Sequence, residues 1–301
     1  MKKMQKIYFI VNGKNYLQCE KFSNLQEKIK DKFFITCLVT EKIADGINKA
    51  KQAAEEGADV VVAVGGDGTI NEVANGIMQS NVEQKPLMAI LPCGTGDDFV
   101  KTIKVRPLED SLFDIKTKEI DTIKIHYQDE NEQQHSRYCV NIGDIGVSAL
   151  AVKIVNGSKK RLGSAFTFYV GTIRAFLSYK HNSVKIIAKE FQYEGKITTV
   201  VFANGNYFGG GIGIAPYAEI DDGLIDVTLV GDIKLTTFMK YYSRLRKKEH
   251  IHHPAVTYHK TQFIEIQAIK NDKYPLEADG EFFGYTPATI EILPKTLKLL
   301  L

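Results

Sequence analysis

The chain has 301 residues, a formal net charge of +3, 44% apolar and 25% charged residues. This is the make-up of an ordinary folded protein: it excludes collagen-like, low-complexity and disordered chains, and the charge is too mild to point to nucleic acid. No apolar stretch reaches the length of a membrane-spanning helix, so any bilayer contact is expected to be peripheral.

The N-terminus is short, basic and then apolar, but Ile7–Val11 is too brief for the core of a secretion signal. Lys6–Val11 is expected to be a first strand instead, ending at Asn12-Gly13-Lys14-Asn15. Helical spacing follows over Leu17–Asp31, a strand over Phe33–Thr40, and a helix over Ala44–Glu56 that stops at Gly57. Asp59–Val64 and Leu87–Leu91 read as strands, with helices over Asn71–Ser80 and Phe99–Ile103. Strands alternating with helices predict a parallel sheet covered by helices.

After Asp121 the pattern changes. Thr122–Gln128, Arg137–Ile142, Ser183–Ala188, Gly195–Ala203, Leu224–Val230, Thr261–Ala268 and Ala288–Leu293 are short strand-like runs punctuated by Gly, Asn and Asp. Helical stretches over Phe166–Tyr179 and Ile233–Glu249 interrupt them. The expectation is an α/β domain over 1–121 and a β-rich sandwich over 122–294. Cys19, Cys37, Cys93 and Cys139 are scattered with no C-x-x-C pair. Neither a zinc site nor a disulfide framework is expected, and a reducing cytoplasm suits the chain.

The chemistry concentrates in two glycine turns. Val61–Val64 breaks at Gly65-Gly66-Asp67-Gly68-Thr69 and continues into Asn71 and Glu72 at helix-start positions. A strand that ends in glycines and feeds a helix directs backbone N–H groups at an anion. A carboxylate among them suits phosphoryl transfer, where it handles a metal or a proton. Met88–Leu91 leads into a second such turn, Pro92-Cys93-Gly94-Thr95-Gly96-Asp97-Asp98-Phe99. Two turns of this kind converge at the carboxyl edge of a parallel sheet, where open α/β folds bind ligands.

These two motifs resemble those of the diacylglycerol kinase catalytic family, which includes bacterial soluble lipid kinases, sphingosine kinases and ceramide kinases. The first is also similar to the GGDGT of NAD kinases and, more distantly, of phosphofructokinases. Asn204–Gly211, Ile214-Ala215-Pro216, Ala218–Val227 and Glu277-Ala278-Asp279-Gly280-Glu281 resemble the family's later motifs in order. The resemblance implies an NAD-kinase- or phosphofructokinase-like nucleotide domain, a β-rich second domain, a nucleotide cleft between them, and a C-terminal tail, 295–301, that returns to the first. It implies ATP as phosphoryl donor with Mg²⁺, bracketed by Asn12, Thr40, Gly66, Asp67, Gly68, Thr69, Asn71, Glu72 and Thr95, without a Walker lysine. Asp98 matches the family's invariant acid and is expected to face the cleft; Asp97 stands where Asn is usual. Glu281 matches the residue proposed as base in soluble diacylglycerol kinases, and Asp67 the acid given that role in sphingosine and NAD kinases. The resemblance favours Glu281 as base, with Asp67 holding the metal–phosphate geometry. By motif position a structural Mg²⁺ would take the Asp222 side chain and the Glu219 and Leu224 carbonyls, with Asp121 joined through water.

Lys153, Lys159, Lys160 and Arg161 form one basic run; Lys240, Arg244, Arg246, Lys247 and Lys248, with interleaved aromatics, form another. Each is either a solvated helix face or a docking surface for an anionic bilayer. His250, His252 and His253 lack a spaced acid or Cys and read as loop residues. The sequence therefore favours an ATP- and Mg-dependent kinase of a membrane-lipid hydroxyl, diacylglycerol first, working at the inner membrane face from the cytoplasm. A homodimer fits the family analogy. The alternatives are an NAD kinase and a nucleotide-binding regulator without turnover.

Overall fold

The structure is a computed structural model that describes residues 5–13, 19–94, 96–156, 164–179, 183–269 and 273–301. They divide into two compact units, one formed by Met1–Ile120 with Lys295–Leu301, the other by Asp121–Pro294.

The first unit runs β1 (Lys6–Asn12), α1 (Glu20–Ile29), β2 (Phe34–Thr40), α2 (Asp45–Glu55), β3 (Val60–Gly65), α3 (Asp67–Gln79), β4 (Leu87–Pro92), α4 (Asp98–Ile103) and α5 (Leu108–Phe113). β2, β1, β3 and β4 lie side by side, each pair parallel. β3 is buried along its whole length, as a central strand covered on both faces must be. Its Val-rich sequence answers that environment. Leu299, from the end of the chain, pairs parallel with Met88 at the free side of β4. Leu300 is buried with Phe9, Phe22, Val62 and Leu112 in the core of this unit.

α3 is buried on nearly every side, from Thr69 to Ile77. It lies so close to α2 that a Cβ on Gly76 would stand 2.4 Å from the Ile47 carbonyl oxygen. The close fit leaves no room for any residue but glycine there. Buried polar residues on such a helix need partners. Glu72 has them: its two oxygens accept the N–H groups of Ala44 (3.0 Å) and Gly46 (2.8 Å). They thereby cap α2, whose own N-cap, Ala44, offers no side-chain acceptor.

One expectation is corrected in this unit. Cys19 and Cys93 are joined by a disulfide, with Cα atoms 6.1 Å apart and a sequence separation of 74. Scattered spacing says nothing of pairs that only the fold brings together, here the start of α1 and the end of β4.

β5 (Thr117–Gln128) carries the chain into the second unit, which continues through β6 (Gln134–Cys139), β7 (Ile142–Gly146), α6 (Val147–Asn156), α7 (Ser164–Ser178), β8 (Ser183–Ala188), β9 (Gln192–Ala203), β10 (Ile225–Gly231), α8 (Leu235–Arg246), β11 (Val256–Thr261), β12 (Phe263–Ala268), β13 (Pro275–Ala278) and β14 (Glu281–Leu300). Its strands pair antiparallel in the order β11-β10-β9-β7-β13-β14, with β8 joining β9 to β12 and β12 joining β14. β9 is shared: its first half pairs with β8 and its second half with β10 and β7. The core between the strands holds Ile123, Ile145, Val200, Phe202, Leu276 and Ile290. α6 and α7 pack on one another through Val147, Ala151 and Ala175.

Candidate active site

Both glycine turns leave the carboxyl ends of β3 and β4, which are neighbours in the sheet. Their backbones touch. A Cβ on Gly94 would stand 2.5 Å from the Gly66 Cα, so that position tolerates no side chain without parting the turns, while a Cβ on Gly66 would stand 3.2 Å from the Gly94 Cα. α3 begins at Asp67, earlier than the expected Asn71, with Gly66 as an extended N-cap. The helical ladder opens with Ile70 N–H donating to Gly66 O (3.1 Å). The N–H groups of Gly68 and Thr69 stand ahead of it at the positive end of a thirteen-residue helix.

Asp67 ties the turns together. One carboxylate oxygen accepts the N–H of Asp98 (3.2 Å) and the other that of Phe99 (3.1 Å), and a Cβ on Gly96 would meet it at 2.9 Å. A carboxylate that caps α4 in this way fixes where both turns lie. Asn12 at the end of β1 donates through Nδ2 to Thr69 Oγ1 (3.2 Å), and Gly13 donates its N–H to Thr40 Oγ1 (3.2 Å). Asn12, Thr40, Gly66, Asp67, Gly68 and Thr69 are therefore brought to one sheet edge by β1, β2 and β3. Asn71 is fully buried and accepts from Asn75 Nδ2 at its side-chain oxygen (3.2 Å). Glu72 is taken up by α2, as described. Thr95 lies outside the described residues, as do Asn15, Lys159, Lys160 and Arg161.

The Asp97-Asp98 pair separates in role. Asp97 sits in the left-handed region (φ 52), where Asn and Asp are the residues best tolerated after glycine, which explains why either can stand there. Burial pushes its carboxyl up, with Lys101 and Lys21 pulling the other way. Asp98 is 5% exposed and pairs through Oδ1 with Lys101 Nζ (2.8 Å).

In the second unit, Glu281 opens β14. Its Oε2 accepts from the Arg137 guanidinium, which lies over the Phe283 ring at 5.4 Å. The pair is 144 residues apart in sequence, and nothing local in the chain announces Arg137. The turn before Glu281 is anchored by Asp279, whose carboxylate accepts the N–H groups of Val140, Asn141 and Ile142 and the Cys139 thiol, at 3.0–3.2 Å. Beside it, Asp144 and Glu277 are register partners of β7 and β13, both fully buried. Burial raises both carboxyls, Asp144 to about 7, and the neighbouring Asp144 charge raises Glu277 further.

The Asp222 turn does not fit a divalent ion. Asp222 Oδ1 accepts the N–H of Leu224 (3.0 Å), and Oδ2 holds the Lys260 ammonium (2.7 Å). Asp121 is fully buried and its Oδ2 accepts the N–H of Gly223 directly (2.7 Å). Glu219 is exposed. Among the described residues no cluster of His, Cys, Asp and Glu could hold a metal.

Sequence reasoning left the place of an acceptor unread. The second unit contains an apolar groove lined by Val147, Phe176, Ile212, Phe238, Leu245 and Ile251, with a cavity volume of about 80 Å³. Its polar contributors include Ser148 and Thr199, whose hydroxyls bond one another (2.9 Å). His253 also lines it. On α8, Arg244 pairs with Glu249 (2.8 Å), Arg246 donates to Gly210 O, and Lys240 lies over the Tyr241 ring. Lys153 donates to the Tyr285 hydroxyl (2.7 Å). No helix among the described residues is long and apolar enough to cross a membrane.

Residues 6–126 match the diacylglycerol kinase catalytic domain, and residues 142–301 match the YegS C-terminal NAD kinase beta sandwich-like domain. A diacylglycerol kinase of Bacillus subtilis is 26% identical over 290 residues, 95% of this chain and 92% of that protein. One of Staphylococcus carnosus is 26% identical over 292 residues, 95% and 91% of the two. The solved structure of a diacylglycerol kinase from Bacillus anthracis aligns with a TM-score of 0.72 over 100% of this chain and 98% of that one, at 23% identity, and so speaks for the fold.

Proposed function

Because the chain belongs to the diacylglycerol kinase catalytic-domain family and is a lipid kinase, we propose that it transfers the γ-phosphoryl group of ATP to the free hydroxyl of diacylglycerol, giving phosphatidic acid. The observation that carries this choice of acceptor is the apolar groove of the second unit. A hydrocarbon chain matches such a lining, and a charged dinucleotide would leave its polar groups unpaired there. Exposed Phe166 and Leu177 on α7 and Met239 on α8 favour a peripheral position on a bilayer, reached from the cytoplasmic side.

The nucleotide is held by the paired turns of the NAD-kinase-like first unit. The start of α3 directs N–H groups at its phosphates, and Asn12, Thr40 and Thr69 shape the edge of the site. Thr95, Asn71 and Glu72 belong to the same set, Glu72 through its cap on α2. Mg²⁺ enters with ATP as part of the substrate. The attacking alcohol is a weak nucleophile, and a carboxylate must take its proton as the bond to phosphorus forms. Glu281 is the base in this reading: Arg137 occupies its Oε2, and Oε1 carries no hydrogen bond among the described residues. Asp67 is a positioning residue, since both its oxygens bind the backbone of α4, and Asp98 orients that helix through Lys101.

The test is transfer of ³²P from MgATP to a panel of lipids in mixed micelles, with NAD⁺ in a parallel tube. Label in phosphatidic acid that disappears in Glu281→Ala supports the reading. Label in another lipid would reassign the acceptor, and label in NADP⁺ would overturn a lipid acceptor altogether.

A further inference from the structure

The acidic turn that leads into β10 carries Asp221 and Asp222, and Asp226 follows within the strand. Lys260 is the register partner of Asp226 on the neighbouring strand β11. Its ammonium reaches Asp222 Oδ2 at 2.7 Å and Asp226 Oδ2 at 3.4 Å. The Asp222 and Asp226 side chains are 20% and 11% exposed and that of Lys260 is 36% exposed, so the ion pairs are partly shielded from solvent. The remaining oxygen of Asp222 and one of Asp121 accept backbone N–H groups of the turn itself, from Leu224 and Gly223.

We propose that the Lys260 ammonium is the resident cation of this turn and takes the place of the structural Mg²⁺ that related kinases are expected to carry there. The turn needs positive charge because two carboxylates meet at its exit. Mg²⁺ supplies such charge at about 2.1 Å from a near-octahedral set of oxygens. An ion on Asp222 Oδ2 would lie no more than about 5 Å from an ammonium already on that oxygen, where like charges repel strongly. The ammonium suits the geometry present: it is a compact donor on a long stem, delivered by a strand hydrogen-bonded to β10. A cation bonded into the chain has no dissociation constant. The turn therefore holds its shape at any free Mg²⁺ concentration, and a chelator has nothing to remove.

The test uses the full chain without nucleotide. Wild type is purified in Mg²⁺, desalted, and assayed for bound metal by plasma mass spectrometry; its thermal unfolding is then followed in EDTA and in excess Mg²⁺. The expected result is no retained Mg²⁺ and the same Tm in both buffers. Lys260→Met in EDTA is expected to melt at least about 3 °C below wild type, with Lys260→Arg between the two. One Mg²⁺ retained per chain, a fall in the wild-type Tm on chelation, or a wild-type Tm in Lys260→Met overturns the proposal. The wild-type arms decide it even if the variants do not fold. Neither arm reads phosphoryl transfer, so the outcome stands apart from the identity of the lipid acceptor.

Discussion

Truncating Asp279 to alanine would remove the single acceptor for three consecutive backbone N–H groups, those of Val140, Asn141 and Ile142. The site is 7% exposed, so water does not readily replace the carboxylate. A buried donor left without a partner costs about 1–3 kcal/mol. Taking the lower half of that range for three donors gives about 3–6 kcal/mol. Asp279 also sits at φ 51, where Asp is tolerated and Ala is strained, which adds about 1 kcal/mol. The expected loss, about 4–7 kcal/mol, is a large part of what holds a domain of this size together. Asp279→Asn keeps the backbone conformation and one acceptor oxygen, so about 1–3 kcal/mol is expected there. Denaturant unfolding gives the totals. Deuterium uptake in peptides spanning 139–143 reads the three amides directly. An alanine variant within about 1 kcal/mol of wild type, with those amides still protected, would refute the account of the carboxylate as their anchor.

Gly94→Ala places a methyl 2.5 Å from the Gly66 Cα, a clash with backbone that no rotamer relieves; MgATP affinity measured by calorimetry should fall at least about 10-fold. Arg137→Met frees the carboxylate of Glu281 to wander, so kcat should fall by about 10–100-fold with the KM for ATP unchanged, and Arg137→Lys should recover part of it. A change confined to KM would show that Arg137 does not position the base. Burial raises Asp144 and Glu277, so the native state holds a proton that the unfolded chain releases at lower pH. The stability this contributes is present below about pH 4 and is lost as pH climbs through about 7. Asp226, raised by burial to about 6, slopes the same way. Asp144→Asn should weaken the dependence between pH 4 and 7 in denaturant melts, leaving the parts due to Glu277 and Asp226.

What could be read from the sequence was contiguous. β3 and its glycines, the turn after β4, and α2 lie within runs of a dozen residues, and their periodicity and punctuation are local signals. Errors arose where a local pattern hides a break. Arg137–Ile142 reads as one strand, but β6 stops at Cys139 and β7 starts at Ile142, because Asp279 collects the intervening amides. Thr261–Ala268 likewise divides between β11 and β12 at Gln262, where Thr261 Oγ1 donates to the Phe263 carbonyl. α6, with three Val and one Ile among its ten residues, carries β-branched residues that favour a strand, and its sequence predicts no helix. In the site, the residues of the glycine turns were legible, but their partners were not. Arg137 with Glu281, Lys260 with Asp222 and Cys19 with Cys93 stand 144, 38 and 74 residues apart. A single sequence carries no signal for such pairs.

The first unit is discontinuous: Leu299 and Leu300 complete its sheet and core, yet they follow the entire second unit in the chain. On the ribosome, residues 121–294 must be made first, which takes roughly ten to thirty seconds at ordinary elongation rates. Through that interval β4 waits with an unpaired edge and the core lacks its closing leucines. The first unit is thus begun first and finished last, after its neighbour has had time to fold. Nascent chains stalled before residue 295 should present β4 to chaperones.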